Sequence, residues 1–305
     1  MGTPDFSVNA LDAIVKAGHE VVCVFSQPDK PKGRKMELVP TPVKQYAVDN
    51  NIPIYQPITV RDGDALEIFK KYNPDIAVVV AYGKILPKEI LEYPKYGCVN
   101  LHASLLPKFR GASPIQWAIV CGEDVTGVST MYMDEGMDTG DVILTETIKI
   151  SEDDTAESLF DKLSKIGSRV LCNTLTSIEN GTAVATKQDE NSATYAPIIK
   201  KEMGLIDFNK TSREINSQIR GLYPWPGAYF FRNNKRIKVL ESKIIDSVHD
   251  CKIGEVIENN DCLHICCGGG SVIGLTKVQP EGKKAMTISE FLNGNKIEKG
   301  SIVFD

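Results

Sequence analysis

Short apolar runs separated by helical patterns dominate the first half of the chain. The run Ile76-Ala77-Val78-Val79-Val80-Ala81 contains no polar position, which suits a strand covered on both faces near the centre of a sheet. Similar β-branched runs predict strands over 20–25, 75–82, 97–103, 127–133 and 141–148. Between them, apolar residues recur at helical spacing and predict helices over 7–17, 42–50, 64–72, 113–121 and 155–179. Strands alternating with helices imply an α/β domain, a mostly parallel sheet with helices on both faces.

After Gly181 the pattern changes. A polar stretch at 187–193 and a helical segment at 212–220 lead to Tyr223-Pro224-Trp225-Pro226-Gly227. From Ala228 onward short strands recur, with turn residues at Asn233-Asn234, Asn259-Asn260 and 268–270, as in a small barrel or a sandwich. The expected organisation is a first domain over 1–183, a linker over 184–202 and a second domain over 203–305. Trp225, held between two prolines, is expected to pack at the domain junction.

The 305 residues exceed the roughly 100 to 200 of one domain, and 42% hydrophobic with 25% charged residues is the balance of an ordinary globular chain. No apolar run approaches the roughly 20 residues that span a bilayer, and the first residues lack the marks of a signal peptide. The protein is therefore expected in the cytoplasm with no membrane partner. Eight cysteines are scattered without a disulfide framework and are expected to be reduced. Cys262, His264 and Cys266 share one strand face, but with no second ligand pair at zinc-finger spacing they point to strand packing, not to a metal. The net charge of −5 is uneven: 200–305 holds 16 Lys and Arg against 13 Asp and Glu, whereas 1–199 holds 19 against 27. A mildly basic second domain is compatible with a polyanionic partner.

Candidate chemistry gathers in two blocks. The first is Asn100-Leu101-His102-Ala103-Ser104-Leu105-Leu106-Pro107, at the end of a predicted parallel strand. Side-chain alternation puts Asn100 and His102 on one face, and open α/β sheets bind ligands beyond the carboxyl ends of their strands. Taken alone, a strand histidine is more often a satisfied structural residue. The second block is the glycine-bracketed acidic loop Asp134-Glu135-Gly136-Met137-Asp138-Thr139-Gly140-Asp141, which alone reads as a solvated turn and lacks the ligand spacing of a calcium loop. With His102 it offers a carboxylate to orient and charge an imidazole. A serine hydrolase is excluded by the missing glycine-flanked elbow, and no Gly-x-Gly-x-x-Gly follows a strand to hold a dinucleotide.

Along nearly its whole length the sequence resembles the bacterial methionyl-tRNA formyltransferases. The matching marks are Gly2-Thr3-Pro4-Asp5-Phe6, Gln27-Pro28-Asp29, Thr41-Pro42-Val43-Lys44, Val79-Val80-Ala81-Tyr82-Gly83, Asn100-x-His102-x-Ser104-Leu105-Leu106-Pro107 and Arg110-Gly111-Ala112-x-Pro114-Ile115-Gln116. They continue with Met133-Asp134, Asp138-Thr139-Gly140-Asp141, Pro224-Trp225-Pro226 and Gly282-Lys283-Lys284-Ala285-Met286. The catalytic marks alone are shared with glycinamide ribonucleotide and sugar-amine formyltransferases and with formyltetrahydrofolate deformylases. The resemblance implies a Rossmann-like first domain and a smaller OB-like barrel, acting as a monomer. It implies 10-formyltetrahydrofolate as formyl donor, no metal, and initiator methionyl-tRNA as acceptor. Asn100, His102 and Asp138 then match the catalytic residues, and Ser104, Leu105, Leu106 and Pro107 the folate pocket.

The polar loop over 27–42 is longer than the usual connection of about 2 to 6 residues. In the family the matching loop meets the acceptor end of the tRNA, with Arg34 and Lys35 as its contacts here; Met36-Glu37 follow where relatives often carry further lysines. Further contacts are expected from Arg232, Lys235, Arg236, Lys238, Lys283 and Lys284. Two other readings stay open: a formyltransferase for a small amine such as an amino sugar, and a non-catalytic RNA-binding relative. In the family a buried strand ends at the position of Met1. The expectation is therefore that the chain continues upstream by roughly a strand's length, and that a gap or filled groove lies between the strands predicted at 20–25 and 75–82.

Overall fold

The computed structural model of the chain describes residues 1–32 and 37–305. Two compact units emerge, one formed by Met1–Pro114, Val125–Ile148 and Phe160–Pro197, the other by Ile115–Asp124, Lys149–Leu159 and Ile198–Asp305.

The first unit opens with α1 (Asp5–Lys16), β1 (Val24–Phe25), β2 (Lys30–Lys32), β3 (Glu37–Val39), α2 (Pro42–Asp49) and β4 (Ile54–Tyr55). It continues through α3 (Asp64–Tyr72), β5 (Ala77–Val79), α4 (Lys88–Leu91), β6 (Cys98–His102) and β7 (Arg110–Gly111). After α5 (Pro114–Val120), which from Ile115 onward belongs to the second unit, come β8 (Val125–Tyr132), β9 (Val142–Lys149), α6 (Ala156–Glu179), whose start up to Leu159 also belongs to the second unit, and β10 (Tyr195–Ala196). Local chemistry sets these limits. The Thr41 hydroxyl accepts from Lys44 N–H, and Pro42 occupies the first turn of α2, where its missing donor costs nothing.

The sheet order is β5-β6-β8-β9. β5 runs parallel to β6, but β8 returns antiparallel on the other side, pairing Asn100 with Met131 and His102 with Ser129. The sheet is therefore mixed, not mostly parallel as expected. All five residues of β6 are buried, because it is flanked by a strand on each edge.

β1 pairs in parallel with β4, as a separate two-stranded sheet. It does not pair with β5. Met1 and Gly2 lie between them at one end: Gly2 N–H donates to Phe25 O at 2.9 Å, Val80 N–H to Met1 O at 2.9 Å, and the Met1 ammonium to Val78 O at 2.6 Å. Beyond that contact the two edges, with Ile14, Leu175 and Ile178, line a cavity of about 450 Å³. A groove is thus present where the sequence placed one.

The second unit contains α7 (Ser212–Gly221), β11 (Ala228–Arg232), β12 (Lys235–Val248), β13 (Val256–Asn259), β14 (Leu263–Cys266), β15 (Ser271–Pro280), β16 (Met286–Thr287) and α8 (Ile288–Gly294). Five strands follow the order β11-β12-β15-β14-β13, and β16 pairs with β15. Asn233 and Asn234, at φ 51° and 56°, form the two-residue turn of the β11–β12 hairpin. Two consecutive left-handed residues match the right-handed twist of the strands, and asparagine tolerates that region better than most residues. Register shifts along β12 mark bulges that bend it across the core of Phe208, Phe230, Ile265 and Phe291. The reduced state expected for all cysteines is not met: Cys251 and Cys266 form a disulfide, because the loop before β13 lies back along β14 with a Cα–Cα separation of 6.3 Å. Cys23, Cys98, Cys121, Cys172, Cys262 and Cys267 are free. His264 faces Glu258 at 3.1 Å, and among the described residues no cluster of three or more His, Cys, Asp or Glu could hold a metal.

Candidate active site

β6 carries Asn100 and His102 two residues apart, so both project from one face. They are 8% and 6% exposed. His102 Nε2 lies 2.9 Å from Phe109 O, and its Nδ1 lies 3.6 Å from Asp138 Oδ2. Both ring nitrogens therefore face acceptors. The Phe109 carbonyl reaches the ring because Phe109 adopts φ 60°, which turns the chain sharply after the 104–107 loop.

Asp138 is held from several sides. Gly111 N–H donates to its Oδ2 at 2.7 Å, and Asn100 Nδ2 to its Oδ1 at 3.4 Å. Its backbone takes φ 55°, a conformation that costs a non-glycine residue on the order of 1 to 3 kcal/mol and persists where the surroundings impose it. Here Gln188 Nε2 donates to Asp138 O at 2.8 Å and to Gly140 O at 2.7 Å. Gly140 itself admits no side chain, since a Cβ there would sit 1.7 Å from Tyr132 O.

Gln188 is anchored in turn. Its Oε1 accepts from Arg110 Nε at 3.0 Å and Nη2 at 2.8 Å, and Glu190 accepts from Arg110 Nη1 at 2.9 Å and Nη2 at 2.8 Å. The Arg110 side chain is fully buried, and its charge holds the Glu190 carboxyl below the usual carboxylate range. β10 adds a strand parallel to β7, which fixes Gly111 N–H towards Asp138. Gln188 and Glu190 lie in the polar stretch that the sequence offered only as a linker. Nothing local marks them; the one available signal was the unassigned Arg110, whose buried guanidinium requires such partners.

Ser104, Leu105, Leu106 and Pro107 form a tightly bonded loop after β6. Ser104 Oγ donates to Lys108 O at 2.6 Å, Ser129 Oγ to Ser104 O at 2.7 Å, and Leu106 N–H to Ser129 Oγ at 3.1 Å. Leu105 packs so close to Gly127 that a Cβ there would lie 2.6 Å from its Cδ2. The large cavity beside β1 and β5 does not include these residues or His102.

The predicted polyanion contacts are less concentrated. Arg34 and Lys35 lie outside the described residues. Arg232 spends one guanidinium nitrogen on Ile302 O and Val303 O at 3.0 and 3.2 Å. Lys235 and Arg236 are exposed next to the Asn233-Asn234 turn, and Lys283 and Lys284 are exposed on the turn after β15. Trp225 is not packed away as expected: it lines a cavity with Lys201, Tyr229, Arg236 and Lys238 and keeps 54% of its area exposed.

A family model described as formyl transferase matches residues 1–175, and one described as formyl transferase, C-terminal domain, matches 198–296. A methionyl-tRNA formyltransferase of Agathobacter rectalis is 49% identical over 303 residues, covering 99% of this chain and 97% of the relative. The methionyl-tRNA formyltransferase of Alkaliphilus oremlandii is 46% identical over 304 residues, covering 99% and 98%. Among solved structures, a sugar 3N-formyl transferase with dTDP and 5-N-formyl-THF superposes with a TM-score of 0.68 at 24% identity, covering 93% of this chain and 97% of that one. An N-formyltransferase from Helicobacter canadensis, complexed with folinic acid and dTDP-3-aminofucose, gives 0.67 at 22%, covering 90% and 96%. At such identities the two structures speak for the fold alone.

Proposed function

This chain belongs to the formyl transferase family, and on that footing we propose that it moves the formyl group of 10-formyltetrahydrofolate to the amino group of methionyl initiator tRNA, for the initiation of translation. The observation that carries the reading at the site is the convergence of Asn100, His102 and Asp138 in one buried cluster. Near-complete coverage by relatives named for this activity supports the substrate.

The donor set fits a formyl group: amide and imidazole N–H donors beside a carboxylate. The folate, when bound, supplies an activated one-carbon unit, and the loop of Ser104, Leu105, Leu106 and Pro107 is the segment assigned to hold it. Asn100 Nδ2–H and the His102 ring provide the donors that stabilise negative charge as it builds on a carbonyl oxygen under attack by an amine. Asp138 orients the imidazole from its Nδ1 side, at 3.6 Å. The proton that the amine loses on attack is the one the leaving folate nitrogen gains as its bond to the formyl carbon breaks, and His102 is assigned to carry it between them.

The first unit is read as Rossmann-like and the second as an OB-like barrel, with catalysis assigned to 1–183 and tRNA contacts to 203–305 and to the loop of Arg34 and Lys35. Charged initiator tRNA resides in the cytoplasm, where the protein is assigned to act as a monomer; among the described residues no helix is long and apolar enough to cross a membrane. Supplying 10-formyltetrahydrofolate with charged initiator tRNA, free methionine or an amino sugar tests the assignment. Formyl transfer to the charged tRNA alone is the expected result, and preference for the amino sugar would replace it with the small-amine reading.

A further inference from the structure

The β11–β12 hairpin leaves aromatic rings on the outside of the second unit. Alternation along β11 sends Ala228 and Phe230 into the core, at 0% and 1% exposure, and turns Tyr229 and Phe231 outward. Phe231 remains 42% exposed, and the two outward rings meet edge-on at 5.6 Å. Across the hairpin, Tyr229 is paired with Lys238 and Phe231 with Arg236. Each ring thus has a cation opposite it, and the Arg236 guanidinium lies 5.8 Å from the Tyr229 ring centre.

Trp225 adds the largest exposed aromatic surface of the unit. With Lys201, Pro226, Tyr229, Arg236 and Lys238 it lines a cavity of about 240 Å³. None of these three cations is among the ion pairs of the described residues, which instead engage Lys277, Lys296 and His264 elsewhere in the unit. Flat apolar rings beside uncompensated positive charge are poorly suited to water and well suited to a ligand that is planar on one side and anionic on the other. An unpaired nucleotide has that chemistry: any base offers a π-face for stacking, and its phosphates lie within reach of neighbouring cations.

We infer that Trp225, with Tyr229 beside it, is a stacking platform for an unpaired base of the RNA substrate, and that Arg236 and Lys238 hold the flanking phosphates. The inference rests on the reading that the acceptor is a tRNA, and adds to the expected cations Arg236 and Lys238 the ring of Trp225, which the sequence pattern assigned to packing, and that of Tyr229.

Fluorescence and filter binding test the platform on the full chain, with initiator tRNA, an eight-nucleotide oligo(A) and a fully paired RNA duplex as probes. Both tRNA and oligo(A) are expected to quench tryptophan emission in the wild type, while Trp225→Phe retains affinity and loses most of the quenching. Trp225→Ala is expected to weaken tRNA binding about tenfold, the effect of removing one stacking ring. It should raise the KM for tRNA but not that for the formyl donor. The pair Arg236→Ala and Lys238→Ala should lower the salt slope of binding by about two, one per phosphate contact. Unchanged tRNA affinity in a folded Trp225→Ala protein, equal binding of duplex and oligo(A), or preferential retention of an acidic protein partner would overturn the platform. Formylation by the wild type is assayed in the same preparation: activity with unchanged Trp225→Ala binding removes the platform and leaves the activity standing. If the wild type lacks activity, oligo(A) quenching still decides whether Trp225 stacks.

Discussion

At the scale of single residues, the site is built around one imidazole whose nitrogens both meet acceptors. In the proposed roles His102→Ala removes the proton carrier and Asp138→Ala the carboxylate that orients it, so each should lower turnover by at least about a hundredfold. The measurement is kcat with saturating tRNA, accompanied by a melting curve unchanged from the wild type. Gln188 holds the backbone carbonyls of Asp138 and Gly140 and is proposed as a positioning residue. Gln188→Ala should lower kcat about tenfold with little change in either KM, and Gln188→Glu, which keeps the acceptor to Arg110 but loses the donor to Asp138 O, should not rescue it. The Arg110–Glu190 pair sets a pH dependence of stability. Arg110 depresses the Glu190 carboxyl, so the pair's contribution is present above the ordinary carboxylate range and fades as pH falls through the depressed folded-state value. Glu190→Gln should therefore melt below the wild type at neutral pH and converge with it in acid; a constant difference across that range would refute the pairing.

At the scale of elements, close approach and cross-links replace side-chain chemistry. The acidic loop passes so near Tyr132 O that Gly140→Ala must push aside the segment carrying Asp138. Turnover is expected to fall at least about tenfold for a methyl group that touches no substrate. The Cys251–Cys266 bridge spans a sequence separation of 15, for which restriction of the unfolded chain is worth about 3 kcal/mol. Cys251→Ser with Cys266→Ala should lower the melting midpoint of the second unit by on the order of 10 °C. Helix limits were legible in the sequence because their signals are local: Asp64–Tyr72 appears as expected from its apolar spacing, without a side-chain cap, and Thr211 with Glu214 caps the start of α7. Strand direction was not legible, because whether β8 returns parallel or antiparallel on β6 depends on packing that no local period records. The same holds for Asn100 and His102, which alternation placed on one face, against Gln188 and Glu190, which reach the site only through long-range bonds to Arg110 and Asp138. Trp225 shows the limit in the opposite direction: its residue type favours burial, yet it keeps 54% of its area exposed.

For the whole molecule, the proposed function assigns formyl transfer to the buried cluster of the first unit and RNA contacts to the second unit and to Arg34 and Lys35. Arg34→Ala should raise the KM for tRNA and flatten its salt dependence by about one, leaving the KM for the formyl donor unchanged. Unchanged kinetics would remove the loop from the RNA contacts. The most direct test of the central claim is single-turnover transfer of labelled formyl from 10-formyltetrahydrofolate to charged initiator tRNA, in the wild type and in His102→Ala. The account predicts formyl-methionyl-tRNA from the wild type and a rate at least about a hundredfold lower in the variant, with tRNA binding equal in both. No formyl-methionyl-tRNA from the wild type, or a variant within a few-fold of it, would contradict the account.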